Sequence, residues 1–150
     1  MGTLTGEATT EIDAPIERVW PIVEDVANAP EWQRTLHQIE AIEHDERGRV
    51  VVGDATTDAK VTRVKTRTKF EYDGPTRLRW EMVGKGDVKS MRGSWELEDL
   101  GDGRTRATYR LALDPGRLGL LVRGPIEAAV RAAIVGGRPA ELAARVAAIG

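Results

Sequence analysis

Turn signals divide the middle of the chain into short segments. Four are strong, namely Asp45-Glu46-Arg47-Gly48, Asp73-Gly74-Pro75, Gly84-Lys85-Gly86 and Gly101-Asp102-Gly103, and a weaker one runs from Thr57 to Lys60. Glycine, proline and aspartate favour turns because they adopt or stabilise the backbone angles that turns require. The region from about Leu36 to about Asp114 is therefore predicted to form roughly six strands joined by hairpins. No interval leaves room for a crossover connection, so we predict an antiparallel meander and not a parallel, doubly wound sheet.

The residues before this region predict one further strand and two short helices. From Leu4 to Ile12 the small or apolar residues alternate with polar ones, which is typical of a strand with one buried face. Asp13-Ala14-Pro15 predicts a helix start, with Asp13 as the N-cap and proline in the first turn. The buried stripe of that helix is expected to be Ile16, Val19, Val23 and Val26. Pro21 should bend or shorten it, and Asn28 to Trp32 predicts a second, very short helix.

The end of the chain predicts a long helix with an interruption. Pro125 is suited to the first turn. One apolar face is expected to hold Ile126, Ala129, Val130, Ala133 and Ile134, continued by Leu142, Val146 and Ile149. Gly136-Gly137 and Pro139 predict a kink or a break in the middle. No repeat or linker is visible, so we predict one α+β domain spanning residues 1–150.

Composition argues against several classes of protein. The formal net charge of -2 offers no overall attraction to nucleic acid, so no nucleic-acid partner is expected. The absence of cysteine excludes disulfides, thiolate metal sites and a cysteine nucleophile, and it fits a cytoplasmic location. The first residues lack the features of a signal peptide. The most apolar run, Leu118 to Val122, is too short to span a bilayer, so no integral membrane segment is expected.

Alternation along the predicted strands separates an inward from an outward face. Arg63, Lys65, Arg67 and Lys69 cannot all be buried unpaired, so they must face solvent. The inward set is then Val64, Thr66, Thr68, Phe70 and Tyr72, followed by Leu78, Trp80 and Met82, by Met91, Gly93, Trp95 and Leu97, and by Thr105, Ala107, Tyr109, Leu111 and Leu113. Glutamates interleave with the outward basic row, which predicts cross-strand ion pairs. A patch for nucleic acid or phospholipid headgroups is the alternative for that row.

Few residues are suited to acid–base or nucleophilic chemistry. His37 and His44 are seven residues apart and would point to opposite faces of a regular strand, so no metal site is expected. His37 shares its parity with Ile39 and is a candidate inward general base, or else a structural residue near a rim. Ser90 and Ser94 share the parity of charged neighbours, which argues against a serine triad.

Three stretches resemble the START-related superfamily and, within it, the polyketide cyclase/dehydrase-like group. They are Ile12-Asp13-Ala14-Pro15-Ile16-Glu17-Arg18-Val19-Trp20, Asp25 through Trp32, and Gly93-Ser94-Trp95-Glu96-Leu97-Glu98 followed by Gly103 to Tyr109. The resemblance covers nearly the whole chain. It implies a helix-grip fold, in which a curved seven-stranded antiparallel sheet wraps a long C-terminal helix and leaves a cavity between them. Members of this superfamily bind lipids, sterols, polyketides and plant hormones, and some are cyclases or aromatases. Their last helix is normally continuous, so the interruption at Gly136, Gly137 and Pro139 departs from the pattern.

The inward residues and the implied cavity together predict a ligand site. Its expected lining is largely aromatic and apolar, and comprises Phe70, Tyr72, Trp80, Met82, Met91, Trp95, Tyr109, Ile126, Val130 and Ile134. The alternative is that these side chains form an ordinary filled core. Trp32, on the short helix that the resemblance places at the cavity rim, is a weaker candidate.

Three functions follow as hypotheses. The preferred one is the binding or carriage of a hydrophobic small molecule or lipid, with no cofactor. The second is a polyketide cyclase or dehydratase that uses the same cavity, with Tyr72, Tyr109 and His37 as candidate catalytic residues. The third is an interaction module that uses the outer basic strands. The identity of the ligand and the choice between monomer and homodimer stay open.

Overall fold

Seven strands and a long C-terminal helix make up most of the chain in a computed structural model that describes residues 3–60, 62–121 and 124–149. Val122, the last residue of the apolar run, lies outside these ranges. The strands are β1 (Leu4–Ile12), β2 (Leu36–His44), β3 (Val50–Asp58), β4 (Arg63–Asp73), β5 (Arg77–Met82), β6 (Ser90–Gly101) and β7 (Arg104–Asp114). The helical segments are α1 (Ile16–Glu24), a 3₁₀ helix (Val26–Glu31), a second 3₁₀ helix (Gly116–Leu121), α2 (Pro125–Arg131), a π-helical turn (Ala132–Gly136) and α3 (Arg138–Ile149).

The strands form one antiparallel sheet in the order β1-β7-β6-β5-β4-β3-β2. Strands β2 to β7 are neighbours in chain order, so each pair is joined directly, as the turn signals predict. Strand β1 closes the other edge by pairing with β7, from Leu4 opposite Leu113 to Ile12 opposite Thr105. The predicted meander and the predicted helix-grip architecture are both confirmed.

The two faces of the sheet differ as the alternation predicts. On β4, Val64, Thr66, Thr68 and Phe70 are buried, while the basic residues between them are exposed. The outer face carries cross-strand ion pairs, including Arg79 with Glu71 at 3.1 Å and Arg110 with Glu7 at 2.9 Å. Opposite charges across strands stabilise such a face modestly, and the predicted ion pairing is confirmed.

The start of α1 differs from the prediction. Pro15 is the N-cap residue, and the helix has no side-chain cap hydrogen bond. Asp13 lies two residues too early in the chain to cap it, so the predicted role of Asp13 was wrong. The amides of Arg18 and Val19 bond instead to the Pro15 carbonyl oxygen, at 2.9 and 3.3 Å. Pro21 lies inside this helix, which ends three residues later at Glu24.

The C-terminal helix is not broken at its glycines. The chain is helical over 25 residues, and the interruption takes the form of the π-helical turn from Ala132 to Gly136. Gly137 keeps right-handed helical angles, with φ -86° and ψ -9°. Because Pro139 has no N–H and the glycines have no side chains, a wider turn is accommodated without ending the helix.

The buried face of this helix also differs from the predicted one. Ile126 is 45% exposed, Ile149 is 61% exposed, and Ala129 is exposed as well. These residues lie near the two ends of the helix, whereas burial is concentrated in its middle. The buried side chains are Val130, Ile134, Val135, Arg138, Pro139, Leu142 and Val146. None of the described helices is both long enough and apolar enough to cross a bilayer.

Glycines on the inner face allow two close contacts, one between the sheet and the C-terminal helix and one within the sheet. A β-carbon at Gly6 would lie 3.0 Å from both methyl carbons of Val135 in the π-helical turn, so the absence of a side chain lets the helix pack directly on β1. A β-carbon at Gly93 would lie 2.5 Å from the Trp80 indole. The Gly93 contact lies within the sheet, where Trp80 pairs with Gly93 across β5 and β6.

Candidate functional site

A cavity of about 120 Å³ lies between the sheet and the C-terminal helix. Strands β2 to β7 supply most of its wall, α1 and the first 3₁₀ helix supply one end, and the C-terminal helix supplies two side chains. The lining residues are Val23, Val26, Ala29, Gln33, Leu36, Ile39, Ala55, Thr57, Ala59, Val64, Thr66, Thr68, Phe70, Leu78, Trp80, Met91, Trp95, Tyr109, Leu111, Leu113, Ile134 and Arg138. The predicted space between sheet and helix is therefore present and is not filled by side chains.

Aromatic rings form the central part of the wall. Trp95 and Tyr109 pack edge to face with ring centres 4.8 Å apart, and Trp80 lies 5.5 Å from Tyr109. Their positions follow from strand register, since Trp95 pairs with Tyr109 across β6 and β7, and Trp80 pairs with Gly93 across β5 and β6. Trp32 contacts the far side of Trp95 at a centre distance of 6.1 Å but is not part of the lining.

A buried arginine lies at the helix side of the cavity. Arg138 is only 3% exposed, and its Nη1 donates to Glu141 Oε1 at 3.1 Å. Its guanidinium carbon is 6.0 Å from the centre of the Tyr109 ring, within the range of a cation–π contact. The Nε atom is buried and has no hydrogen-bond partner. The cavity thus combines an apolar, aromatic wall with one cationic group.

The Tyr109 phenol is a neutral hydrogen-bonding group. Burial raises the pKa of Tyr109 above its ordinary value, and the nearby Arg138 guanidinium opposes that rise only in part. An un-ionised phenol donates or accepts a hydrogen bond but is a poor general base. Gln33, 8% exposed, adds an amide to the lining, and Thr66 and Thr68 add hydroxyls whose oxygens are 3.3 Å apart.

Six of the ten predicted ligand-binding residues line the cavity, namely Phe70, Trp80, Met91, Trp95, Tyr109 and Ile134. Met82 and Ile126 are outside the lining, and Val130 is buried in the core beside it. The expectation that His37 could face inward was wrong, since its side chain is exposed on edge strand β2.

Tyr72 has a structural position near the β2–β3 turn. Its hydroxyl donates to the Val50 carbonyl oxygen at 2.5 Å, and the guanidinium of Arg49 lies 4.4 Å from its ring centre. Arg49 in turn bonds Asp45 and Glu24, at 2.8 and 3.1 Å. Burial raises the pKa of Tyr72 well above its ordinary value. These contacts tie β4 to the turn and to α1, and they leave the ring outside the cavity lining.

The two tyrosines are therefore expected to respond differently to loss of the hydroxyl. Tyr72→Phe should lower the free energy of unfolding by about 1–3 kcal/mol, because the buried Val50 carbonyl loses its partner. Tyr109→Phe should destabilise the fold less and should alter binding in the cavity instead. Urea unfolding of both variants checks this expectation. Equal destabilisation, or an effect of Tyr72→Phe on cavity binding alone, would contradict it.

Two hydrogen bonds hold the segment 32–35 against the C-terminal helix. The Arg34 amide donates to Glu141 Oε2 at 2.8 Å, and the Thr35 hydroxyl donates to the Ala133 carbonyl oxygen in the π-helical turn at 3.0 Å. Gln33 and Leu36, on either side of these contacts, line the cavity. This pair of bonds, called the latch, ties a segment that borders the cavity to the C-terminal helix.

Thr35→Val tests the latch with almost no change in side-chain volume. Loss of the hydroxyl removes one of the two hydrogen bonds that hold the segment to the helix, so the segment should open more often. We expect hydrogen exchange at the Arg34 and Leu36 amides to accelerate by about 2- to 10-fold, since a typical hydrogen bond contributes about 0.5–1.5 kcal/mol. Thr9→Val is the matched control, because Thr9 bonds only Thr108 on the outer face at 3.0 Å. Acceleration in both variants would assign no special role to the latch.

Several lining residues were absent from the sequence prediction, and Arg138 is the most consequential. The sequence does contain a pattern that predicts its position. Along one helix face, intervals of four residues join Ile134, Arg138, Leu142 and Val146, so Arg138 belongs to the buried face. The glycines and proline around Arg138 obscured that stripe by predicting a break. Gln33 and Ala59 lie outside regular elements, where alternation and helical spacing assign no direction.

Comparison with known proteins gives one family and several similar folds. Residues 3–147 match the family described as polyketide cyclase / dehydrase and lipid transport. No curated protein matches the sequence significantly.

Solved structures superpose on nearly the whole chain. A START superfamily protein from Mycobacterium smegmatis aligns with a TM-score of 0.81 and 18% identity, covering 97% of this chain and 99% of that one. The Zhui aromatase/cyclase from Streptomyces sp. R1128 aligns at 0.79 and 14%, covering 97% and 94%. A protein from Thermus thermophilus aligns at 0.79 and 20%, covering 97% and 99%. At these identities the structural likeness establishes the fold alone, and it is the family match over residues 3–147 that shows the chain to be a member of the polyketide cyclase/dehydrase and lipid transport family.

Proposed function

We propose that this protein binds a small, mostly apolar molecule in the cavity between its sheet and its C-terminal helix. The observation that carries the proposal is the unfilled space itself, walled by Trp80, Trp95 and Tyr109 and bounded by a buried cationic side chain, Arg138. A concave apolar site with a few convergent polar groups is the usual form of a small-molecule site. The family is one of ligand-binding and cyclase proteins, which is consistent with this use of the cavity.

The volume of the cavity limits what enters without rearrangement. An apolar cavity of about 150 Å³ accommodates benzene, whereas sites for drug-sized ligands occupy about 300–1,000 Å³. At about 120 Å³ this cavity holds a molecule near the size of one aromatic ring. A polyketide or a lipid chain requires the wall to move. The segment beside the cavity at Arg34 and Thr35, which the two hydrogen bonds of the latch hold to the helix, is a candidate for that movement.

Native mass spectrometry of the purified protein tests the proposal directly. A bound molecule should appear as a mass increment that is lost on denaturation, and solvent extraction should then identify it. For protein that purifies empty, chemical-shift perturbation with benzene as the probe supplies the second measurement. Shifts confined to residues such as Thr68 and Trp95 support the proposal. Absence of any perturbation by benzene, together with an empty protein, overturns it.

Polyketide cyclisation is the second candidate for the same cavity. A buried phenol beside a guanidinium, Tyr109 near Arg138, supports it, because such groups donate hydrogen bonds to carbonyl oxygens. Among the described residues no carboxylate or histidine lines the cavity, so the chain offers no evident general base there. Incubation with a synthetic poly-β-ketothioester tests the candidate. An intramolecular aldol condensation forms one carbon–carbon bond and releases one water, and a turnover unaffected by Tyr109→Phe and Arg138→Met would exclude these groups from it.

A further inference from the structure

Arg138 has more hydrogen-bonding capacity than the fold uses. A guanidinium carries five N–H donors. Among the described residues, the Arg138 side chain donates from Nη1 to Glu141 Oε1 at 3.1 Å, and the guanidinium also lies close enough to the Tyr109 hydroxyl to oppose the rise that burial causes in the pKa of that group. Nε is buried and unpartnered. A buried donor without an acceptor is costly, and because Arg138 lines the cavity, an acceptor on a bound molecule would relieve that cost.

Glu141 does not fill that requirement. Its second oxygen, Oε2, accepts the Arg34 amide at 2.8 Å as part of the latch, so the carboxylate is shared between the arginine and the backbone. The Arg138 side chain is 4% exposed and that of Glu141 is 15% exposed. The carboxylate is therefore directed toward the segment 32–35 at the wall, while the guanidinium lines the cavity.

The surroundings of the guanidinium select the remainder of a ligand. Tyr109 presents its ring to Arg138 at 6.0 Å, and the Trp95 and Trp80 rings follow at 4.8 and 5.5 Å from Tyr109. Ile134, one helical turn before Arg138, completes an apolar surface beside the charge. A molecule bound here would place one end against donors and the remainder against aromatic and aliphatic carbon.

We propose that Arg138 is the recognition residue for a carboxylate group on a small apolar acid bound in this cavity. The inference rests on the proposed function and deepens it by naming the class of ligand. A planar guanidinium matches a carboxylate with two parallel hydrogen bonds, and such charge-assisted bonds are shorter and stronger than neutral ones. Inside a cavity of about 120 Å³ the apolar part of the acid is limited to about one ring or a short chain.

Three probes of nearly equal shape distinguish the contribution of the carboxylate to binding from that of the apolar part of the ligand. Benzoate carries the carboxylate, acetophenone replaces one carboxylate oxygen with a methyl group but keeps a neutral acceptor, and cumene has no acceptor. Their dissociation constants are measured by titration calorimetry or ligand-detected NMR at pH 7 for the wild type and for Arg138→Met, which keeps the length of the side chain without its charge. Arg145→Met is the matched control, because Arg145 lies on the same helix as Arg138 and pairs with Glu31 of the first 3₁₀ helix at 3.0 Å, but is not part of the cavity lining.

Arg138→Met is expected to weaken benzoate binding by about 10- to 100-fold, because hydrogen bonds to charged groups contribute about 1.5–3 kcal/mol. The affinity for cumene should change less than about threefold by the same reasoning, since cumene makes no such bond. Arg145→Met should leave all three affinities unchanged. An equal loss of benzoate and cumene affinity in Arg138→Met overturns the inference, as does unchanged benzoate binding.

Glu141→Gln provides an independent test of the inference, one that does not require the Arg138→Met variant to fold. It removes the negative charge that competes for the guanidinium and keeps an acceptor for the Arg34 amide. Benzoate affinity should rise several-fold relative to that for cumene, whereas a purely structural Arg138 predicts no rise. A wild-type protein that binds cumene but not benzoate overturns this inference alone. A wild-type protein that binds none of the three probes overturns the proposed function, and this inference with it.

Discussion

Trp95→Ala is expected to lower the free energy of unfolding by about 3–5 kcal/mol, the usual cost of truncating a fully buried tryptophan. Trp95 is 2% exposed, and the centre of its ring lies 4.8 Å from that of Tyr109 and 6.1 Å from that of Trp32. The loss combines apolar surface, two aromatic contacts and an enlarged void. Chemical unfolding in urea or guanidinium measures it.

A binding measurement distinguishes a cavity wall from an ordinary core in the same variant. The removed indole should enlarge the cavity, so Trp95→Ala is expected to bind naphthalene more tightly than the wild type does, provided that the variant stays folded. Trp32→Ala is the control, since Trp32 contacts Trp95 but lies outside the lining and is only half-buried. A loss of stability below about 1 kcal/mol for Trp95→Ala would contradict the packing described here.

Gly93→Ala is expected to destabilise the protein by about 1–3 kcal/mol in the presence of Trp80. The added β-carbon would lie 2.5 Å from the Trp80 indole, so either the ring or strand β6 must shift. In a Trp80→Leu background the same substitution should be nearly neutral or slightly stabilising, because the obstructing ring is gone and alanine restricts the unfolded chain more than glycine does. A double-mutant cycle in urea measures the coupling directly.

Gly136→Ala is the control for Gly93→Ala. Its β-carbon would meet no atom within 4 Å, so the substitution should be neutral or stabilising, by up to about 1 kcal/mol.

Because Trp80 lines the cavity, Gly93→Ala should also change probe binding. Additive effects of Gly93→Ala and Trp80→Leu would show that the glycine does not make room for the ring.

The strands and their faces were predictable because the signals are local. The glycine-containing turns delimit β2 to β7, and the alternating basic residues of β4 cannot be buried without partners, which leaves one orientation for Phe70 and its neighbours. The same parity argument placed Trp80, Trp95 and Tyr109 on the inner face, where the cavity is. Resemblance to a known family supplied the shape that turned an inner face into an expected cavity.

Parity does not say how far along a strand the cavity extends. Tyr72, Phe70 and Met82 all share the inward side, but Tyr72 is engaged by Val50 and Arg49 at the β2–β3 turn, and only Phe70 lines the cavity. His37 lies on edge strand β2, where the pairing with β3 contains register shifts. Such bulges reorient side chains in a way that regular alternation does not predict.

The sequence by itself determined the antiparallel meander, the α+β order and the identity of the aromatic wall, since turn residues and a period of two act over a few neighbours. Only the tertiary structure decided that the chain continues past Gly136 and Gly137 as a helix with a π-helical turn, because the helix packs on β1 at Gly6 and is held by the latch. That same turn brings Arg138 into the cavity beside Tyr109. A buried charge at that point depends on contacts between residues about 30 to 130 positions apart in the chain, and no local pattern contains them.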